Sequence, residues 1–127
     1  MTAQAVSRPA PDAAAAVLTK ATLRSAALLG LSNAAVARVV GVSAATVSRM
    51  AAGERQFEPG TKPAELAALL IRVYRSLDAL VGNSERQRRL WMGSFNRAFN
   101  QAPKDAIESV EGLAQVVRYL DGARALG

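Results

Sequence analysis

An all-α fold is what this sequence predicts, and three observations carry the prediction. Half of the 127 residues are hydrophobic and alanine dominates that half, which favours helix over strand. Aromatic residues make up only 5%. Through "AELAALLIRVYRSLDALVG", Leu66, Leu69, Leu70, Val73, Leu77, Leu80 and Val81 recur at i, i+3, i+4 and i+7, the rhythm of one helical stripe.

Residues 1–11, "MTAQAVSRPAP", hold two prolines and little to bury, and read as a disordered tail. Asp12 is placed to cap a first helix over 13–29, with Val17, Leu18, Leu28 and Leu29 on its apolar stripe and Gly30 at its end. Ser32 or Asn33 caps a second helix that runs to Val40 and stops at Gly41. Ser43 caps a third over 44–52, closed by Gly53. Helices this short need tertiary packing to persist. "GERQFEPGTKP", residues 53–63, is a loop, and the periodic helix over 64–81 follows it until Gly82-Asn83. Ser84 with Gln87 forms a capping-box signal for a short helix to Met92. Pro103 suits the first turn of another short helix over 103–109, and a last helix spans 111–123. The organisation expected is a tail at 1–11, a domain at 12–82 that includes the long helix, and a second small domain at 83–127.

Composition removes several function classes. Cysteine and histidine are both absent, so disulfides, thiolate metal sites, cysteine nucleophiles and histidine-dependent triads have no residues to build them. No acidic cluster stands out. The expectation is a protein that is not an enzyme and holds no metal and no cofactor. The net charge is +6 and the pI about 10.8, which suits an anionic partner such as DNA. Residues 1–62 carry seven Lys/Arg against three Asp/Glu, and residues 63–127 nine against seven, so the excess sits mainly in the first half. No apolar run approaches the roughly 18 residues that span a bilayer, and the alanine run at 13–16 lacks the flanks of a signal peptide. A cytoplasmic location is expected, consistent with the missing cysteine.

The stretch "LSNAAVARVVGVSAATVSRMAAGER" carries the sharpest signal. With helices at 33–40 and 43–52, Ala37 falls at their closest approach and Gly41 in the tight turn, where a positive φ is cheap only for glycine. Val36, Val40, Val42, Val47 and Met50 fall on the faces that meet. This is the packing of a helix-turn-helix, although an ordinary helical hairpin fits the same spacing less specifically. The stretch resembles the Cro/repressor-like unit. That resemblance places the second helix in the major groove and leaves Ser43, Ala44, Ala45, Thr46, Ser48 and Arg49 exposed towards DNA. Arg49 is the one long donor there, suited to guanine O6 and N7. Ser43 and the helix N-terminus suit phosphate, as do Arg38 and Arg55 at the flanks. A recognition helix with two alanines makes few base contacts, so a dimer or higher oligomer is expected.

The remaining chain contains "LWMGSFNRAFNQAPKDAIESVEGLAQVVRYLDG". Trp91, Asn96, Ala98, Phe99, Pro103, Ile107, Glu111, Gly112, Val116 and Leu120 resemble the toxin-binding domain of Xre/MbcA/ParS-type antitoxins. Asn100 stands where that family usually has glycine, and asparagine tolerates the left-handed region; Ala106 stands where many members have leucine. The residues themselves suggest a small core of Trp91, Phe95, Phe99, Ile107, Val110, Leu113, Val117 and Leu120. The resemblance implies a type II antitoxin that blocks a RES-domain, NAD-consuming toxin with its C-terminal region and represses its own operon. Exposed residues near the end of the chain, Arg118, Tyr119, Asp121 and Arg124, are the candidate toxin contacts. Two alternatives stay open: a helix-turn-helix regulator without a toxin, and an interaction module that has lost DNA binding.

Overall fold

Serine, threonine, glycine and proline set the helix limits in the computed structural model, which describes residues 11–126. Seven helices follow in order: α1 (Pro11–Leu28), α2 (Asn33–Val40), α3 (Ala44–Ala51), α4 (Lys62–Val81), α5 (Glu85–Gly93), α6 (Pro103–Ala106) and α7 (Val110–Leu126). Side chains of Ser32, Ser43, Thr61 and Ser84 each accept a hydrogen bond from the backbone N–H three residues on, satisfying a donor that the first helical turn leaves free. Gly41 (φ 78°) and Gly82 (φ 62°) close α2 and α4 in the left-handed region.

Several limits differ from the sequence expectation. α1 starts at Pro11, since proline suits a first helical turn, so Asp12 lies within the helix and not ahead of it. The rest of the expected tail, residues 1–10, lies outside the described residues. α4 starts at Lys62 because Thr61 caps it and Pro63 occupies its first turn. α6 is one turn only, and α7 takes up Val110 and runs on to Leu126. Among the described residues there is no strand, only an antiparallel bridge between Asn96 and Gln101.

α1 packs on α4 through small and hydroxyl side chains. Its buried face runs Ala15, Thr19, Thr22 and Ala26, and Leu29 continues it in the turn that follows. The hydroxyls of Thr19 and Thr22 donate back to the carbonyls of Ala15 (2.8 Å) and Leu18 (2.7 Å), which lets them be buried at little cost. Val17 is 68% exposed, so it does not belong to the stripe the sequence suggested.

The long helix α4 is the axis of the molecule. Leu66, Leu70, Val73 and Leu77 are buried in one continuous core with Val36, Val40 and Val47 of the first half and Leu113, Val116 and Leu120 of the second. Each fully buried leucine or valine contributes about 1.5–3 kcal/mol. The stripe is therefore covered by α1, α2 and α7 of the same chain, except at Leu80, which is 42% exposed. Gly82 and Asn83, both with positive φ, end α4, and the core continues past them.

Two other side chains differ from the expected core. Phe95 is 65% exposed because α5 ends at Gly93 and Ser94 is extended, which takes Phe95 off the helical face. Val110 is 56% exposed because α6 stops early, leaving Val110 as the outermost residue of α7.

Gly112 explains the "EG" pair at the start of α7. A Cβ built there meets the carbonyl oxygen of Ala106 at 1.9 Å, so the α6–α7 turn closes only over a bare backbone. Gly122, on the same helix, has open space around it. Gly112→Ala is expected to destabilise by about 1–3 kcal/mol through overpacking. Gly122→Ala is expected to stabilise by roughly 0.5–1 kcal/mol through helix propensity. Urea denaturation followed by circular dichroism reads both, and the opposite signs are the test.

Candidate functional site

The sequence separates two surfaces on this core. The first is built by α2 and α3, whose axes differ in direction by 115°. The N–H groups of Gly41 and Val42 both donate to the Ala37 carbonyl, at 2.9 and 3.1 Å, which closes the turn. Ala37, Val36, Val40, Val47 and Met50 are buried between the helices and α4. Ser43, Ala44, Ala45, Ser48 and Arg49 are exposed together on α3, as expected of a recognition helix.

Thr46 departs from the expectation. It is 9% exposed, because its hydroxyl turns back to the cap and pairs with Ser43 Oγ at 2.9 Å. It also accepts from Arg49 Nη2 at 3.4 Å. Thr46 is thus a support beneath Arg49 and not part of the exposed face. The flanking arginines differ from one another. Arg38 Nε lies 3.0 Å from Glu108 Oε1 in the turn before α7, so a carboxylate of the same chain already occupies it. Arg55 sits in the loop after α3 and forms no ion pair among the described residues.

The second surface is built by α5, the 94–102 loop and α7. Asn96 organises the loop: its side-chain oxygen accepts from Ala98 N (2.9 Å), its carbonyl from Phe99 N (3.1 Å), and its own N–H donates to Gln101 O (3.1 Å). Asn100 takes φ 57°, the left-handed role usually given to glycine. Gln115 Nε2 of α7 donates to Ala98 O at 3.0 Å and ties the loop to the helix. Trp91, Phe99 and Tyr119 then meet as an aromatic cluster, with centroids 6.2, 6.2 and 5.2 Å apart.

Of the four candidate contacts at the end of the chain, two face outward freely. Arg118 is exposed and Tyr119 is 43% exposed on the aromatic cluster. Asp121 is turned inward: it pairs with Arg72 and accepts from Ser76 Oγ at 3.2 Å, because α7 lies directly against α4. Arg124 is exposed but donates to the same Ser76 Oγ at 3.2 Å. These two act first as clasps between α4 and α7.

Sequence reasoning passed over Leu90 and Arg88 and assigned Phe95 to the core. Leu90 (57%) and Phe95 are exposed beside the aromatic segment. Six of the seven large hydrophobic residues exposed among the described residues lie between Leu80 and Leu126. Only the end of α5, invisible in periodicity, distinguishes Phe95 from a core residue. Arg88 is 3% exposed; it donates to the Leu28 carbonyl (2.8 Å) and to Asp78 Oδ1 (2.7 Å), and lies 5.5 Å from the Tyr74 ring centroid. It locks α5 onto α1 and α4. Among the described residues no cluster of His, Cys, Asp or Glu can hold a metal ion, and no single helix is long and apolar enough to cross a membrane.

Residues 8–72 match the family model of the antitoxin Xre-like helix-turn-helix domain, just over half of the chain. The chain belongs to the Xre-like antitoxin family. Residues 76–125 match a second model, the antitoxin Xre/MbcA/ParS C-terminal toxin-binding domain. No curated protein matches the chain at a significant level. The two matches meet inside α4, the helix both surfaces share, so this antitoxin carries a helix-turn-helix and a toxin-binding domain on one core.

Helix α3 of the antitoxin depends on its cap. Ser43→Ala removes the oxygen that accepts from Thr46 N at 3.0 Å and leaves the Thr46 hydroxyl without its partner. A loss of about 1–2 kcal/mol is expected, read as a lower midpoint in chemical denaturation.

Proposed function

We propose that this antitoxin neutralises a RES-domain, NAD-consuming toxin through its C-terminal surface and represses its own operon through α3, in the cytoplasm, as a homodimer or a higher hetero-oligomer with the toxin. What carries the reading is the division of the surface. Large exposed hydrophobics concentrate in the residues matched by the toxin-binding model, whereas α3 offers small side chains, hydroxyls and one arginine. The RES identity rests on the resemblance of the Trp91–Leu120 signature.

On the DNA side, Arg49 is the base-reading residue. Ala44 and Ala45 give apolar contact to a thymine methyl, and Ser43 and Ser48 bond phosphate or base edges. Arg38 and Arg55 serve phosphates, Arg38 only by leaving Glu108. Thr46 acts through Arg49. On the toxin side, Tyr119 and Phe95 supply the anchors and Arg118 a charged rim, an arrangement typical of interface hot spots. Asp121 and Arg124 hold α7 in place behind them. A helix-turn-helix regulator without a toxin is the second reading; it leaves the same apolar surface for another copy of the chain.

Arg49→Ala is expected to cost about 1–3 kcal/mol at the operator, read by gel shift on the sequence upstream of the coding region. Unchanged affinity there refutes the placement of α3.

For the toxin surface, Phe95→Ala with Arg118→Ala is the variant of choice, because both side chains are exposed. Exposed substitutions change stability by within about 0.5 kcal/mol each, so the fold and operator binding should persist. Co-purification with the RES-domain product of a neighbouring reading frame, and rescue of cells expressing it, should be lost. Full rescue by this variant moves the inhibitory surface elsewhere, and the absence of any such neighbouring frame favours the regulator reading.

A further inference from the structure

The +4 excess of the first half is not accounted for by α3, which carries one arginine, nor by Arg38, which Glu108 already engages. Three other cations come together in a groove of about 590 Å³ between α1 and the loop that leaves α3. Lys20 and Arg24 line it from α1, one helical turn apart and on the same face, and Arg55 lines it from the loop. All three are exposed, and none forms an ion pair or a side-chain hydrogen bond among the described residues.

The loop side of the groove is fixed. Phe57 is 1% exposed in the core, and its N–H donates to the buried Thr19 hydroxyl of α1 at 2.8 Å. Arg55 is therefore held two residues from an anchor, facing the helix that carries Lys20 and Arg24. Three unpaired cations held this close repel one another, a cost that an anionic partner removes.

We infer that Lys20, Arg24 and Arg55 form a binding site for the phosphate backbone of duplex DNA alongside α3. The groove borders α3 at Ala51, one turn beyond the exposed Ser48. A helix seated in the major groove has a phosphate strand on each flank, and cations beside the helix are what such a strand meets. Contacts to phosphate set register and affinity and carry no base preference. The cations of α1 thus supply the affinity that an alanine-rich recognition helix lacks. This inference rests on the DNA-binding reading and extends it to α1, where no site residue was expected from the sequence.

The test uses the full chain and fluorescence anisotropy on two duplexes of equal length, one carrying the sequence upstream of the coding region and one unrelated. Binding is measured across a salt series. Lys20→Gln with Arg24→Gln keeps the side-chain stems and removes two charges. Each lost phosphate contact flattens the slope of log K against log salt by about 0.9, so the pair should flatten it by nearly 2. Both duplexes should weaken by the same factor, whereas Arg49→Ala weakens the upstream duplex selectively. Arg97→Gln with Lys104→Gln removes the same charge from the other half and should leave the slope unchanged.

An unaltered slope in the Lys20/Arg24 variant overturns the site while leaving the DNA reading standing. Equal flattening by the Arg97/Lys104 variant also overturns it, since the effect is then one of net charge. A wild-type chain that binds neither duplex at low salt overturns the DNA reading itself, and the site with it.

Discussion

Burial of the α4 stripe from both sides is the constraint on which the rest of this antitoxin depends. Neither half has a core of its own size to spare: α2 and α3 are eight residues each and α6 is four. Helices this short are not stable in isolation. They persist because Leu66, Leu70, Val73 and Leu77 present apolar surface to α1 and α2 and, further along, to α7. The two family models divide the chain within this helix, but the packing does not.

A shared helix places the two surfaces in fixed relation. Polar contacts reinforce the apolar ones at three places: Arg38 with Glu108, Asp121 with Arg72 and Ser76, and Arg88 with Asp78 and the Leu28 carbonyl. The first two are solvent-exposed pairs and contribute little stability, on the order of 0–1 kcal/mol. Their effect is orientation. Arg88 differs, since burial makes its hydrogen bonds obligatory and an unpaired charge there is costly. The Arg38–Glu108 pair also ties α2 to the turn before α7.

The toxin-binding half shows how a small domain holds an aromatic surface outward. The Asn96 turn, left-handed Asn100 and the Gln115 tether fix the loop, and bare Gly112 lets the α6–α7 turn close. With the backbone fixed in this way, Trp91 and Tyr119 remain partly exposed while Phe99 is buried beneath them.

The sequence by itself determined the all-α class, the α2–turn–α3 unit with its Ser43 cap, the left-handed Gly41, the α4 stripe and the family signature. These are local properties: a cap reads three residues ahead, a turn needs one glycine, and a stripe repeats every turn. Tertiary structure decided what local pattern leaves open. Phe95 and Val110 read as core and Thr46 as exposed, because exposure depends on where a neighbouring element ends, not on hydrophobicity. Asp121 and Arg124 read as free ends of a helix, yet α4 lies against them. Lys20 and Arg24 carry no signal in the sequence, and only the fold brings Arg55 to them across more than thirty residues. Contacts between segments distant in the chain leave no periodic trace, so only the packed molecule reveals which charges face one another.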